Sequence, residues 1–165
     1  MTRSLGIDLG ERRIGLALAD GDGSSARPLA TLRRGRDLEV DAAALRAIIE
    51  AESIDELVVG LPLEAAGSEG PQALLTRTWA TGIEARLDLP IVYRDERLSS
   101  HLAETRLGPM KRGRSGGPPS KTQRDAYRAR VDRESAAIIL QDELDTRAGL
   151  RSSMPRTPDS QETSR

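Results

Sequence analysis

Two apolar, glycine-interrupted stretches near the amino terminus constrain the fold more than any other feature of the chain. Residues 5–10 read LGIDLG, and residues 13–19 read RIGLALA after a short polar turn. Apolar stretches of this length, bounded by turn residues, predict strands that pair as an antiparallel hairpin. A third strand is predicted at residues 27–32, after the turn-forming sequence DGDGSS. We therefore expect an antiparallel meander with a carboxylate, Asp8, inside its first strand.

Helical and strand patterns alternate in the remainder of the chain. Asp37 is a suitable cap for the first helix, and Ser99 or Ser100 for the third. The predicted helices cover residues 37–51, 71–86, about 99–107 and 131–147, and the predicted strands cover residues 57–62 and 91–93. Such alternation after a meander indicates an α/β protein in which helices flank a mixed sheet.

Composition excludes several classes of protein. The 165 residues are 37% hydrophobic and include no cysteine, which is typical of one domain without disulfide bonds. No stretch approaches the roughly 18 apolar residues that a membrane helix requires, so we expect a cytoplasmic protein without a membrane partner. We assign residues 1–148 to a single domain and residues 149–165, which are rich in Ser, Pro and Thr, to a disordered tail.

Charge is unevenly distributed although the net charge is −1. Residues 106–133 contain nine Lys or Arg against two acids. Within them, residues 108–123 are rich in Gly, Pro, Lys, Arg and Ser, which indicates a mobile basic loop. A solvated loop and a surface that binds phosphate are both consistent with this composition.

Three carboxylates stand where chemistry is expected in an α/β sheet. Asp8 lies late in the first strand and Glu96 just after the strand at residues 91–93, and ligands bind at the carboxyl ends of strands in such sheets. Helical spacing turns Asp132, at the predicted start of the final helix, toward the sheet. Two alternatives stay open: Asp95 is a candidate in place of Glu96, and Asp132 is also explained as an acid favoured at a helix start.

The motifs around these acids resemble one known family. Residues 6–10 with 13–17 (GIDLG, RIGLA), 58–63 (VVGLPL), 95–100 (DERLSS), and 131–132 with 136–141 (VD, AAIILQ) are similar in order to the YqgF family, also called RuvX. Its members are Holliday-junction-resolvase-like proteins assigned as nucleases of pre-16S ribosomal RNA. The resemblance runs from Leu5 to about Asp145, nearly the whole domain.

The resemblance implies an RNase H-like fold, with a five-stranded mixed sheet whose first three strands are antiparallel. It also implies that Asp8, Glu96 and Asp132 are the catalytic residues and hold metal, Mg²⁺ or alternatively Mn²⁺. Mg²⁺ prefers carboxylate oxygens, and paired ions activate water for phosphodiester hydrolysis. The leading hypothesis is a Mg²⁺-dependent endonuclease that acts on structured RNA in maturing the 5′ end of pre-16S ribosomal RNA.

A nuclease of this kind needs cationic side chains for the phosphate backbone. Some candidates lie next to the acids and others in or after the basic loop: Arg12, Arg13, Arg97, Lys121, Arg128 and Arg130. Exposed salt bridges are the alternative explanation for each of them.

Other functions remain consistent with the sequence. Branched DNA is the second substrate class, and cutting both strands of a four-way junction would require a homodimer rather than a monomer. A non-catalytic factor that binds nucleic acid or ribosomal particles is a third hypothesis. An actin-like sugar kinase or ATPase shares the DLG hairpin, but it needs two such lobes, and 165 residues supply one.

Overall fold

A five-stranded mixed sheet forms the centre of the molecule. The computed structural model describes residues 2–21 and 24–153, with residues 151–153 described by their backbone alone. The strands are β1 (Ser4–Leu9), β2 (Arg13–Ala19), β3 (Arg27–Arg33), β4 (Glu56–Leu61) and β5 (Ile91–Asp95). Their order across the sheet is β3-β2-β1-β4-β5. The first three strands are antiparallel, and β4 and β5 run parallel to β1, so the predicted architecture is confirmed.

Four helices flank the sheet: α1 (Leu38–Glu52), α2 (Pro71–Leu87), α3 (Ser99–Leu107) and α4 (Lys121–Ser153). Asp37 caps α1 as predicted, because its side chain accepts a hydrogen bond from the amide of Val40 at 3.1 Å. The predicted serine cap of α3 is wrong. Leu98 occupies the cap position, and Ser99 is the first residue of the helix.

Helix α4 begins ten residues before its predicted start, so Asp132 lies in its interior rather than in its first turn. The cause is a capping box. The amide of Gln123 donates to the hydroxyl of Ser120, and the amide of Ser120 donates to the Gln123 side chain. The helix-start explanation for Asp132 is therefore wrong, since a macrodipole effect is confined to the terminal turn.

The two faces of the sheet differ in the size of their side chains. Leu and Ile side chains of the strands pack against α1 and α2 with Leu45, Trp79 and Ile83. The opposite face is made largely of small residues, with Ala17 and Ala19 packed against α4. Small side chains allow a helix to approach a sheet closely. Asp8 and Arg13 alternate onto this second face, and both therefore lie on the side covered by α4.

The remaining predictions concern loops and membrane association. The irregular segment after α3 ends at Ser120, three residues before the predicted end of the basic loop, because α4 starts there. Residues 149–153 of the predicted tail continue α4, and residues 154–165 lie outside the described part of the chain. Among the described helices, we find none that is long and apolar enough to cross a membrane.

Candidate active site

Asp8 and Glu96 come together at the carboxyl ends of the parallel strands. Asp8 is the penultimate residue of β1, and Glu96 directly follows β5. The amide of Glu96 donates to the carbonyl of Leu61 at 3.1 Å, which ties the turn after β5 to the end of β4. The amide and hydroxyl of Ser99 donate to the Glu96 carbonyl at 3.0 and 2.9 Å. The backbone around Glu96 is thus held by both neighbouring elements.

Burial makes this pair of carboxyl groups electrostatically unusual. Loss of solvent raises the pKa of Asp8, and the negative charge of Asp132 raises it further, while a hydrogen bond with Glu96 opposes both effects. Loss of solvent also raises the pKa of Glu96, and the carboxylate of Asp8 is its next largest cause. Two half-buried carboxylates in contact cannot both ionise cheaply without a cation.

Asp132 is held beside this pair by an arginine. The Nε of Arg13 lies 2.5 Å from Oδ2 of Asp132, and both side chains are partly buried. Arg13 begins β2 on the face that α4 covers, so the ion pair joins the sheet to the middle of the helix. Asp132 is close enough to raise the pKa of Asp8. The fold therefore brings all three acids into one region, with Asp132 paired to Arg13 rather than to the other two.

The donor chemistry of this region fits a hard cation. Oε2 of Glu96 is buried and has no hydrogen-bond partner among the described residues. An unsatisfied buried carboxylate oxygen is costly unless a positive charge accompanies it. Within the same part of the chain, we find no three acidic, His or Cys side chains already arranged as ligands of one ion. Asp8 and Glu96 supply oxygens of the kind that such a cation prefers.

Asp95, the alternative to Glu96, lies in a different environment. Its carboxylate binds Arg97, with the Nη2 of Arg97 at 2.7 Å from Oδ2 and the Arg97 amide at 3.0 Å from Oδ1. The hydrogen bonds from Arg97 lower the pKa of Asp95. Asp95 is exposed and already neutralised by its partner, whereas Glu96 is the acid that contacts Asp8.

The predicted phosphate-binding residues have different partners. Arg13 binds Asp132 and Arg97 binds Asp95, as described above, and Lys121 pairs with Asp125 one helical turn away at 3.2 Å. The other three, which are all exposed, have no ion pair in the described part of the chain: Arg12 in the turn between β1 and β2, and Arg128 and Arg130 on α4.

Two glycines that the sequence reasoning missed shape the site. A Cβ atom on Gly60 would lie 2.5 Å from Oε2 of Glu96 and 2.5 Å from Cδ1 of Ile139. A Cβ atom on Gly15 would overlap the backbone carbonyl of Asp132. Both glycines interrupt otherwise apolar strands. Glycine inside a strand marks a close approach by another group, and this was the available signal.

The chain is similar to known proteins along most of its length. The sequence model of a family described as RuvX, Holliday junction resolvase, matches residues 2–146. A protein of Anaeromyxobacter dehalogenans, named as a candidate pre-16S rRNA nuclease, is 44% identical over 146 residues, which cover 88% of this chain and 98% of that protein. A Synechococcus elongatus protein of the same name is 42% identical over 142 residues, covering 86% and 88% of the two chains.

A solved structure supports the fold alone. RuvC of T. thermophilus, determined in complex with a Holliday junction substrate, has a TM-score of 0.51 and 12% sequence identity to this chain. The match covers 90% of this chain and 97% of RuvC. The RNase H-like class of the fold is thereby confirmed.

Proposed function

The chain belongs to the RuvX family, and we propose that it is a Mg²⁺-dependent endonuclease that hydrolyses phosphodiester bonds in structured RNA. Maturation of the 5′ end of pre-16S ribosomal RNA is the proposed biological reaction. The names of relatives at 42–44% identity over most of the chain support this substrate. Action on a ribosomal RNA precursor would place the protein in the cytoplasm, in contact with ribosomal particles.

The observation that carries the proposal is the contact between the carboxyl groups of Asp8 and Glu96. Their raised pKa values mean that two acids are held together and away from water at a free energy cost. Hydrophobic residues of similar size would stabilise the fold better at these positions. Acids with strongly perturbed pKa values at the ends of parallel strands are typical of functional sites.

Asp8, Glu96 and Asp132 are the residues that would hold Mg²⁺, with Mn²⁺ as an alternative. Bound ions of this kind supply a nucleophilic hydroxide at neutral pH and stabilise the oxygens of the phosphate that gain charge. Binding of the cation would favour the ionised form of both Asp8 and Glu96. Because Arg13 already pairs with Asp132, the guanidinium group would orient that carboxylate until a cation or a phosphate replaces one partner.

A four-way DNA junction is the second candidate substrate. The description of the family as Holliday junction resolvases and the RuvC-like fold support it. A monomer is sufficient for cleavage of a single RNA strand, whereas symmetric cleavage of a junction would require a homodimer. The two substrates are therefore distinguished by activity and by oligomeric state.

The test compares four proteins: the wild type, Asp8→Asn, Glu96→Gln and Asp95→Asn. Each is incubated with a labelled pre-16S RNA fragment and with a labelled four-way DNA junction, in Mg²⁺ and in EDTA. We expect Mg²⁺-dependent cleavage of the RNA that leaves a 5′-phosphate and a 3′-hydroxyl. Asp8→Asn and Glu96→Gln should reduce the rate at least about 100-fold, as expected when a group that stabilises the transition state is removed. Asp95→Asn is the matched control and should retain activity, because its carboxylate is paired with Arg97.

Other outcomes would contradict the proposal in distinguishable ways. Undiminished cleavage by Asp8→Asn would exclude the carboxylate site. Cleavage of the junction but not of the RNA would support the second candidate. Binding without cleavage by the wild type would favour a ribosome-assembly factor, and ATP hydrolysis without cleavage would favour the kinase-like alternative.

A further inference from the structure

Two neighbouring open cavities, one of which includes Asp132, have two lining residues in common. The first, of about 420 Å³, lies over Asp132 and is lined by Gly10, Glu11, Arg12, Arg13 and Arg128 in addition to that acid. The second, of about 530 Å³, is lined by Glu11, Arg12, Arg33, Arg34 and Gly35. Glu11 and Arg12 belong to both. We call the combined surface the arginine groove, and it leads from Asp132 across the turn between β1 and β2 to the end of β3.

The arginine groove carries an excess of positive charge, since five arginines line it against two acids. Two of the arginines have structural partners. Arg13 binds Asp132, and Arg34 donates to the Gly10 carbonyl at 3.1 Å and lies 3.7 Å from Asp41. Arg12 and Arg33, like Arg128 on α4, are exposed and have no hydrogen-bonding or ionic side-chain partner in the described part of the chain. Their guanidinium groups are available to a ligand.

Strand register explains why Arg33 belongs to this surface. Arg33 pairs with Arg13 across the antiparallel strands β3 and β2, so the two side chains leave the same face of the sheet. Two rungs inward, Thr31 donates to the carbonyl of Ala129 in α4 at 2.5 Å. Arg33 therefore emerges just beyond the contact between α4 and the sheet.

The turn that carries Arg12 is fixed relative to β3. The amide of Arg34 donates to the carbonyl of Arg12 at 2.9 Å. The guanidinium groups of Arg12 and Arg33 are therefore presented by one rigid junction of backbone rather than by independent loops. The cavity on the other side of the carboxylates differs, because its arginines, Arg94 and Arg97, are both paired with acids.

We propose that the arginine groove binds the phosphodiester backbone of the substrate on one side of the cleaved bond, with Arg12 and Arg33 each contacting a phosphate. This inference rests on the proposed nuclease function, because the groove shares Asp132 with the carboxylate site. Guanidinium groups bind phosphate oxygens in a bidentate manner. The path of the nucleic acid then runs over the turn between β1 and β2 toward Gly35, and not along the side of Arg97.

The test measures the salt dependence of binding in EDTA, where the metal required for cleavage is absent. Fluorescence anisotropy is recorded for a labelled structured RNA and a labelled four-way DNA junction between 50 and 200 mM salt. The double variant Arg12→Gln/Arg33→Gln is compared with wild type and with Arg27→Gln. Arg27 lies at the opposite end of β3 and pairs with Asp20, so this control removes the same kind of charge outside the groove.

Each lost phosphate contact lowers the slope of log affinity against log salt by about 0.9 on duplex DNA. The slope for the double variant should therefore be smaller by about two units. Raising the salt from 50 to 200 mM should then reduce the affinity of the variant for nucleic acid by a factor roughly tenfold smaller than the factor for wild type. Arg27→Gln should behave as wild type. Arg12→Lys/Arg33→Lys should keep the slope, because the charges remain.

An unchanged slope in the double glutamine variant would overturn the proposal, as would an equal loss in the double lysine variant. Cleavage in Mg²⁺ is scored separately with the wild type. If the wild type cleaves in Mg²⁺ and the slope of the double glutamine variant is unchanged, the role of the groove is refuted and the nuclease function is retained. A reduced slope in the glutamine variant without cleavage by wild type supports the groove as a nucleic-acid-binding surface and refutes the nuclease function.

Discussion

Replacing Gly15 with alanine tests whether the close approach of α4 to the sheet positions Asp132. A Cβ atom on Gly15 would lie 2.9 Å from the amide nitrogen of Arg133 and would overlap the carbonyl group of Asp132. Carbon atoms pack at about 3.5 Å or more, so the first of these contacts alone requires the helix to withdraw by about 0.5 Å, and the carbonyl requires more. These are backbone atoms that cannot rotate away, and the added methyl group should therefore cost roughly 3 kcal/mol, the upper end of the range for overpacking.

The effect on activity should be seen in protein that remains folded. Displacement of a catalytic group by about 1 Å is sufficient for a loss of about 100-fold in rate. We expect Gly15→Ala to remain folded by circular dichroism, to lose about 3 kcal/mol in urea unfolding, and to cleave the RNA substrate at least about 100-fold more slowly than wild type.

Alanine variants of two further glycines extend this test to a graded series. Gly6 contacts α4, and Gly149 lies within it. A Cβ atom on Gly6 would lie 2.7 Å from the carbonyl of Ala136 and 2.8 Å from Cβ of Leu140, a smaller overlap than at Gly15. Gly6→Ala should therefore be less destabilising. Gly149 is in α4 and has no atom within 4 Å of an added Cβ, so Gly149→Ala should stabilise the helix by up to about 1 kcal/mol. Wild-type stability and activity in Gly15→Ala would refute the close-approach argument.

Three other predictions concern the carboxylates, the core and the start of α4. Because the pKa values of Asp8 and Glu96 are raised on folding, their protonation stabilises the fold at low pH. That contribution is lost as pH rises from the ordinary carboxyl range through the raised pKa values, about 6 for Asp8 and about 9 for Glu96. Unfolding of the metal-free protein should therefore become easier between about pH 5 and about pH 9, less so in Glu96→Gln. Trp79→Phe removes the donor at 3.0 Å from the buried carboxylate of Asp41 and should cost about 1–3 kcal/mol in urea unfolding followed by circular dichroism; no loss would contradict that role. Ser120→Ala should cost about 1 kcal/mol, and hydrogen exchange should increase in the first turns of α4 and not at its centre.

Helix boundaries were predictable where a local signal was used. The side chain of Asp37 forms the predicted cap of α1, since capping depends on residues within one turn. The capping box of Ser120 and Gln123 was equally visible in the sequence, but its position within a Gly- and Pro-rich segment favoured a loop. The predicted start of α4 is therefore wrong, although its cause is local. Ser99 fails as a cap for a different reason, because its hydroxyl group donates to the Glu96 carbonyl.

The acidic residues of the site were predictable from the sequence, but the contacts that each of them makes were not. Sequence position alone favoured neither Asp95 nor Glu96, because adjacent residues after a strand differ only in the direction of their side chains. The contacts of Arg97 with Asp95 and of Asp8 with Glu96 distinguish them electrostatically. The roles of both acids in metal binding stay predictions for the cleavage experiment.

The sequence by itself determined the order of the strands and helices, the antiparallel start of the sheet and the motifs that identify the family. These depend on periodicity, turn residues and caps, which act over a few residues. Only the tertiary structure decided that Asp8 lies against Glu96, that Arg13 holds Asp132 across 119 positions, and that Arg12 and Arg33 face one groove. Those contacts depend on strand register and on the distance between α4 and the sheet, which no local pattern specifies.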